Sequence, residues 1–475
     1  MIPRKLFPSD NLSHLLWRTI KSLSLLLLVA YFAFLSFSAF SSDHSRSRFP
    51  DSIRRSFDLP FPFSPSSTNL SHILFSVAGS VNSWPDRRHY IEHWFSPGRT
   101  RAFVWLDEQP PPDHPWPATS PPYRVSENTS RFGPRSAARI ARIVLEAYRL
   151  GSDGIRWFVM GDDDTVFFPE NLVSVLNRYD PDEMYYVGGV SESVEQDVIH
   201  SYGMAFGGGG FAVSRPLAAA LSTVLDGCLD RYASLYGSDQ RVQACLAELG
   251  VPLSRDLGFH QMDIRGDAFG LLAAHPVTPL VSLHHLVAVG PIDPRRETQI
   301  DSLRTLDSAY RVDPGRTLQQ TFCYEPGRNW SVSVSWGYTV QIYPWVVSPR
   351  DLEIPAQTFR TWRSWADGPF TFNTRPWPDH PCKRPLVYLL DRVEESGWSG
   401  TMSYYSRFKR EPECELVGFG LARKVQKVRV VSPKMDPNEW TKAPRRYCCE
   451  VRTEDKKTLE VSIQRCGSGE SASPP

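Results

Sequence analysis

The chain has 475 residues, of which 41% are hydrophobic and 22% charged, and its formal net charge is +1. This balance lacks the basic surplus that nucleic-acid binding needs, so nucleic acid is not an expected partner. The length allows two domains, and the 40 prolines and 30 glycines indicate many loops around a folded core rather than disorder.

The amino-terminal part has the pattern of a membrane anchor. A net basic segment, residues 1–21, precedes an apolar run from Leu23 to Phe40, which as a helix would span about 27 Å, enough for a thin bilayer. The basic flank favours a cytosolic amino terminus and a lumenal remainder. We therefore predict a cytosolic tail at 1–21 and a transmembrane signal anchor at 22–42. A cleaved signal peptide is the alternative, because small residues follow near Ala39 to Ser42.

The next segment and the cysteines agree with a lumenal location. Residues 43–68 are rich in serine, proline and arginine without a sustained period, which predicts an extended stem. All eight cysteines lie beyond the anchor, and the absence of a CxxC pair argues against a structural zinc site. Cys228 and Cys245 are suited to a local bridge, and the adjacent Cys448 and Cys449 must have different partners.

Strand and helix patterns alternate from residue 69 onward. Apolar runs of strand character occupy His72–Ser80, Arg101–Leu106 and the residues after Arg156, and helical patterns at 86–94 and 136–150 separate them. This alternation is typical of an open α/β sheet. The loop after the first strand lacks GxGxxG, so a dinucleotide-binding fold is not supported.

Three consecutive carboxylates, Asp162, Asp163 and Asp164, end the apolar run that begins at Trp157. The carboxyl ends of such strands are where α/β proteins bind ligands. Three aspartates there repel one another unless a cation lies between them, and Mg²⁺ or Mn²⁺ carrying phosphate suits that position. A charged surface turn is the alternative.

Two further segments have compositions that suit a ligand site. Four glycines between Phe206 and Phe211 would let backbone pass close to a ligand, although a flexible surface loop has the same composition. No P-loop signature follows them. A helix is predicted to open near Ser238 and Asp239, either of which can serve as its N-cap.

A histidine pair, His284 and His285, lies downstream in an apolar segment. An imidazole could complete an octahedral metal site that a carboxylate begins. A buried histidine with a structural role is the alternative.

From about Asp301 the pattern changes to short β-like runs with many tryptophans and most of the cysteines. We predict a disulfide-braced, β-rich module at 301–475. Its aromatic residues could form a glycan platform or simply the core of the module. The predicted runs are Ser331–Ser335, Tyr338–Val347, Leu386–Leu390, Leu416–Leu421, Val425–Val431 and Arg446–Val451.

Taken together, these motifs resemble the fringe and core-1 galactosyltransferase branch of the family 31 glycosyltransferases, with closest similarity to plant fringe-related proteins that carry an extra carboxyl-terminal domain. The resemblance covers about residues 69–291 and rests on the aspartate triplet, the glycine-rich segment, the Asp239 helix start and His-His-Leu at 284–286, in that order. It implies an α/β GT-A nucleotide-sugar-binding fold at 69–300, a UDP-sugar donor, Mn²⁺, and transfer with inversion in the Golgi lumen.

The resemblance also implies roles for individual residues. Asp164 and His285 align with the metal ligands of the family, and Asp239 aligns with its catalytic base. The expected donor-binding residues are Asp162, Asp163, Gly208 and Gly209. The family usually has a second acid directly before the base, where this chain has Ser238. This departure leaves the acceptor preference open.

The expected function is that of a single-pass type II Golgi membrane glycosyltransferase that transfers a hexose or N-acetylhexosamine from a UDP-sugar to a glycan or glycoprotein hydroxyl. A catalytically silent glycan-binding or scaffold protein of the secretory pathway is the alternative, because fold does not establish function. In an enzyme, the metal ligands should converge on one gap, with Asp239 on the same pocket.

Overall fold

The structure is a computed structural model that describes residues 25, 27–28, 30–32, 67–113, 115–132, 136–151, 153–397, 400–409, 414–453, 455 and 457–475. The chain divides into two units, Met1–Ser64 and Pro65–Pro475. The described residues of the first unit are helical and exposed. Among the described residues, no helix is long and apolar enough to cross a membrane. The predicted tail and most of the predicted anchor and stem lie outside the described residues.

Strands and helices alternate through the first part of the second unit, as the hydrophobic pattern predicts. The strands are β1 (Ile73–Ala78), β2 (Arg101–Leu106), β3 (Tyr123–Val125), β4 (Trp157–Asp162), β5 (Val166–Phe167), β6 (Tyr186–Gly188), β7 (Phe211–Ser214), β8 (Leu253–Arg255), β9 (Phe259–His260), β10 (Ile264–Gly266) and β11 (Ser282–Leu283). The helices are α1 (Trp84–Trp94), α2 (Ser136–Arg149), α3 (Pro169–Leu176), α4 (Val194–Ile199), α5 (Arg215–Arg231), α6 (Ser238–Glu248) and α7 (Phe269–Leu272).

A seven-stranded sheet in the order β3-β2-β1-β4-β7-β6-β8 forms the centre of this part. The first four strands are parallel to one another, and β7 runs antiparallel to both of its neighbours. Every residue of β1 is buried, as expected for a strand that is covered on both faces. The register pairs Ala78 with Asp162, so β1 and β4 end side by side at the aspartate triplet.

Alternate residues of the central strands enter two separate apolar cores. Ile73, Phe75 and Val77 of β1 face a core to which α1 and α3 contribute, and Leu74 and Ala78 face a core built with α2, α5 and α6. This division follows from the two-residue period of a strand. The architecture is therefore mixed α/β, as the sequence predicts.

The remainder of the chain is rich in β-strands. The strands are β12 (Gln320–Glu325), β13 (Trp330–Ser335), β14 (Thr339–Tyr343), β15 (Ala356–Gln357), β16 (Phe359–Thr361), β17 (Arg375–Pro376), β18 (Leu386–Ser396), β19 (Gly400–Phe408), β20 (Lys427–Pro433), β21 (Cys448–Thr453) and β22 (Thr458–Gln464). The helices are α8 (Gln299–Val312), α9 (Pro349–Leu352) and α10 (Val417–Lys424). Eight of these strands form one sheet in the order β12-β13-β14-β18-β19-β20-β22-β21.

Two segments of this region differ from the predicted pattern. Leu416–Leu421 was expected to be β-like, but Val417–Lys424 is the helix α10, so that prediction is wrong. The region also opens with α8, a helix that the pattern of short β-like runs did not include. Helix α8 buries Leu303, Leu306 and Tyr310 in the core that also contains β1.

Four disulfides connect all eight cysteines. The predicted Cys228–Cys245 bridge is confirmed and joins α5 to α6. Cys448 and Cys449 have different partners, as predicted, and the remaining bridges are Cys323–Cys449, Cys382–Cys414 and Cys448–Cys466.

The two parts of the second unit share a core. Val387 and Leu389 of β18 belong to the same buried cluster as Ile73 of β1. The boundary at residues 300 and 301 therefore remains a prediction based on the change of pattern in the sequence.

Candidate functional site

The aspartate triplet forms a turn that Thr165 holds in place. The N–H of Thr165 donates a hydrogen bond to the carbonyl of Asp162 (3.1 Å). The Thr165 hydroxyl accepts a hydrogen bond from the N–H of Asp162 (2.8 Å) and donates one to the carbonyl of Gly208 (2.7 Å). Asp163 and Asp164 are buried at this turn. The alternative of an exposed charged turn therefore does not fit, and the triplet is tied to the glycine-rich segment.

Asp163 connects β4 to α1. One of its carboxylate oxygens accepts a hydrogen bond from the Ser83 hydroxyl, and the other lies 2.8 Å from the guanidinium of Arg87. Protein groups therefore contact both oxygens. The donor-binding role of Asp163 remains a prediction.

Asp164 faces a buried histidine, His284. The Oδ1 atom of Asp164 lies 3.0 Å from Nε2 of His284, and its Oδ2 atom lies 3.5 Å from Arg87. Both contacts are ion pairs, and neither oxygen of Asp164 accepts a hydrogen bond of good geometry. Burial alone would raise the pKa of Asp164, but His284 holds that pKa well below its usual range. Burial also disfavours the protonated form of His284, but the Asp164 carboxylate outweighs this effect and raises the pKa of His284.

His285 makes its polar contact with a different carboxylate, that of Asp263. Its backbone is left-handed (φ 51°), and its Nδ1 atom lies 3.0 Å from Oδ1 of Asp263. Its ring stacks on that of Trp362 with a centroid separation of 4.3 Å. The structure therefore brings His284 rather than His285 to Asp164. The expected role of His285 as a metal ligand remains a prediction, and His284 is the ligand that this geometry favours.

The glycine-rich segment is a packed turn. The N–H of Gly210 donates to the carbonyl of Gly207 (3.1 Å), and the N–H of Gly209 donates to the side chain of Gln261 (2.6 Å). A Cβ atom at Gly208 would lie 2.1 Å from Cε1 of His284. Glycine at this position therefore makes room for the histidine ring, and the alternative of a flexible surface loop does not fit.

Asp239 lies in the first turn of α6. The N-cap residue is Gly237, so the expectation that Ser238 or Asp239 caps the helix is wrong. Asp239 instead accepts hydrogen bonds from the N–H groups of Gly207 (3.2 Å) and Gln240 (3.0 Å). Burial raises the pKa of Asp239, and these N–H groups oppose that shift.

Asp239 and Asp162 line the same small cavity of about 20 Å³. Burial, together with the neighbouring carboxylates, raises the pKa of Asp162 to about 7. The predicted base and the first aspartate of the triplet therefore line one cavity, which has room for about one water molecule, whereas Asp164 and the two histidines do not line it. The expectation that Asp239 shares a pocket with the metal ligands remains a prediction.

The Asp164–His284 pair fits a hard divalent ion. Within the described part of the chain, no group of three or more His, Cys, Asp or Glu side chains is arranged to hold a metal. Mg²⁺ and similar ions, however, commonly use one or two protein ligands and complete their shell with water and phosphate. Two neighbouring ligands of an octahedral ion with 2.0–2.1 Å bonds are about 3 Å apart. The pair has this separation, and carboxylate with imidazole suits Mn²⁺.

Sequence reasoning missed several residues of this site. His284 was visible as half of the histidine pair, but the sequence offered no signal to choose between its members. Arg87 and Asp263 are ordinary charged residues in the sequence. Trp362 lies too far along the chain for any local motif to connect it with the triplet.

The fold and the site define a mixed α/β protein in which an acidic triplet ends a central strand and faces a buried imidazole. The model of the Fringe-like family matches residues 68–266, and the model described as "Protein of unknown function, DUF604" matches residues 196–449, just over half of the chain. The chain belongs to the fringe and core-1 galactosyltransferase-like family of the family 31 glycosyltransferases. Proteins of the Fringe-like family are generally glycosyltransferases. No curated protein matches the chain.

Proposed function

We propose that the protein is a metal-dependent, inverting glycosyltransferase with a GT-A fold. It transfers a hexose or N-acetylhexosamine from a UDP-sugar to a hydroxyl of a glycan or glycoprotein. The proposed location is the Golgi membrane, with a type II anchor at 22–42 and the second unit in the lumen. The observation that supports the activity is the convergence of Asp164 with His284, beside a cavity that Asp162 and Asp239 share.

Asp164 and His284 are the residues that would hold Mn²⁺, with Asp162 beside them. When bound, the ion supplies positive charge to the diphosphate of the leaving UDP. The chain itself contributes a rigid site, because Thr165 fixes the triplet and Gly208 leaves space for the His284 ring. Side chains held in this way lose little freedom when the donor binds.

Asp239 would act as the general base. Inversion in one step needs a group opposite the leaving group to accept the proton of the acceptor hydroxyl. Burial makes the Asp239 carboxylate more basic, and the N–H groups of Gly207 and Gln240 orient it. Its carboxylate oxygens accept the proton, so no covalent intermediate is required.

One observation favours the second candidate, a silent glycan-binding or scaffold protein. Arg87 lies 2.8 Å from Asp163 and 3.5 Å from Asp164, so a protein cation already offsets part of the negative charge of the triplet. A site neutralised in this way does not need a metal for stability. Metal binding therefore separates the two candidates.

The test is hydrolysis and binding of a panel of UDP-sugars by the full chain, with and without Mn²⁺. The transferase hypothesis expects Mn²⁺-dependent turnover of one donor. Asp164→Ala should lose donor binding, whereas Asp239→Asn should bind the donor and lose turnover.

Asp230→Asn, a change at an exposed position on α5, is the control and should behave as wild type. If the wild type binds no donor with Mn²⁺ present, the result contradicts the transferase and supports the silent protein. Binding without hydrolysis directs the next measurement to transfer onto glycan acceptors.

A further inference from the structure

A segment of the carboxyl-terminal part lies against the candidate site. Strand β16 pairs antiparallel with β10, with Arg360 opposite Arg265 and Thr361 opposite Ile264. A few residues later, Phe370 forms an isolated bridge with Ser193. The segment is therefore fixed at both ends to the part of the chain that carries the aspartate triplet. We name residues 362–365, Trp-Arg-Ser-Trp, the aromatic loop.

Hydrogen bonds close the aromatic loop at its base. The N–H of Thr361 donates to the carbonyl of Ala366 (2.9 Å), and the N–H of Ala366 donates to the Thr361 hydroxyl (3.0 Å). Trp365 has a left-handed backbone (φ 54°), which is unfavourable for a bulky side chain. Such conformations persist where the surrounding structure imposes them, and they concentrate at ligand sites.

A continuous series of stacked groups joins the loop to the proposed metal ligands. The rings of His284 and His285 are 3.8 Å apart, and Trp362 lies parallel to His285 at 4.3 Å. The guanidinium of Arg265 lies 4.6 Å from the ring of Trp362 and 5.1 Å from that of Trp365. Arg265 also donates a hydrogen bond to the carbonyl of Trp362 (2.6 Å). Trp365 thus ends a series that begins at the ligand pair.

Trp365 is also exceptional in its exposure. About half of its surface is accessible (51%), and no other tryptophan in the described part of the chain is classed as exposed. A pyranose ring has an apolar C–H face and a polar rim. An exposed indole beside a guanidinium offers a complementary apolar face with hydrogen-bond donors at its edge.

We propose that Trp365 is a stacking platform for a pyranose ring of the acceptor glycan, and that Trp362 and Arg265 position it beside the site. The proposal rests on the function proposed above and names the acceptor subsite of that activity. The acceptor is favoured over the donor because His285, Trp362 and Arg265 separate Trp365 from His284, whereas the donor diphosphate must contact the metal itself.

The test is binding of methyl pyranosides (galactoside, glucoside, N-acetylglucosaminide and fucoside) to the full chain, measured by saturation-transfer NMR. Wild type should bind at least one of them, and Trp365→Ala should weaken that binding about tenfold or more. A tenfold change corresponds to about 1.4 kcal/mol. Trp365→Phe, which keeps an aromatic face, should retain part of the affinity.

Two further variants separate this role from a structural one. Trp365→Gly removes the ring and relieves the left-handed backbone, so it should be more stable than Trp365→Ala while losing pyranoside binding to the same extent. Tyr404→Ala removes another aromatic ring that stacks with an arginine, Arg392, on the eight-stranded sheet. This control should leave pyranoside binding unchanged.

The outcomes also separate this proposal from the proposed function. UDP-sugar hydrolysis without an acceptor should be the same in Trp365→Ala and wild type, whereas the acceptor KM should rise. The acceptor assignment would be overturned if Trp365→Ala raised the donor KM and left pyranoside binding unchanged. It would also be overturned if the wild type bound none of the pyranosides. Absence of donor binding and hydrolysis in every protein would instead contradict the transferase itself.

Discussion

The ring of His284 occupies the space next to Gly208 that any other side chain would need, since a Cβ atom at position 208 would lie 2.1 Å from the ring. Residue 208 also accepts the hydrogen bond from Thr165 that fixes the aspartate turn. The glycine-rich segment, the triplet and the histidine pair are therefore interdependent parts of one site.

Gly208→Ala should displace His284 and weaken metal binding. Overpacking of this kind typically costs about 1–3 kcal/mol, so a lower thermal midpoint should accompany the loss. Calorimetric titration with Mn²⁺ measures the effect. Gly203→Ala is the matched control, because the nearest atom to its Cβ would be 3.6 Å away. Unchanged Mn²⁺ affinity in Gly208→Ala would show that the ring position is not needed.

The two histidines should differ in their effect on metal binding. His284→Ala should abolish the stabilisation by Mn²⁺, which for a single site is about 2.7 kcal/mol at 100 times Kd. His285→Ala should keep most of it, because His285 contacts Asp263 and Trp362. Thermal unfolding with and without Mn²⁺ measures both. The reverse result would restore His285 as the ligand.

Asp163 and Asp164 should differ in their effect on metal binding. Asp163→Asn should lower the free energy of unfolding by about 2 kcal/mol, because it disturbs charged hydrogen bonds to Ser83 and Arg87. Asp164→Asn should also destabilise the folded protein, because it removes the carboxylate of the buried ion pair with His284, but unlike Asp163→Asn it should lose the Mn²⁺ response. Denaturant unfolding with and without Mn²⁺ tests both. Equal responses in the two variants would contradict this division.

Glu146 should make stability depend on pH. It is buried on α2, and burial raises its pKa from 4.5 to about 7. The folded state then binds a proton more tightly than the unfolded state. The stabilisation is complete below about pH 4.5 and is lost as the pH rises towards 7. Glu146→Gln should reduce this decline, which urea unfolding across pH 4.5–8 can measure. An unchanged slope in the variant would exclude Glu146 as its source.

The sequence predicts much of the first part of the fold. Long apolar runs and helical periods locate β1, β2, β4 and α2 within a few residues, because burial on both faces leaves a clear pattern. The apolar run Leu416–Leu421 is too short to distinguish a strand from a helix. Helix α8 carries the spacing Leu303, Leu306 and Tyr310, a helical period that the overall β-like composition obscured.

The candidate site is only partly predictable for a different reason. Asp164 and Asp239 stand in motifs whose position along the chain indicates a role. Which of His284 and His285 faces Asp164 depends on the left-handed backbone of His285, and no local sequence pattern predicts that conformation. The approach of Trp362 depends on pairing between β10 and β16, which are far apart in sequence.

The core that β18 shares with β1 has a consequence for biosynthesis. Residues 73 and 389 both belong to it, and at 5–20 residues per second roughly 15–60 s of synthesis separates them. Over that interval the apolar surface of β1 lacks part of its final cover. Nascent chains that stop before β18 should therefore depend on chaperones, and the first part of the protein should complete its folding only after most of the chain has been made.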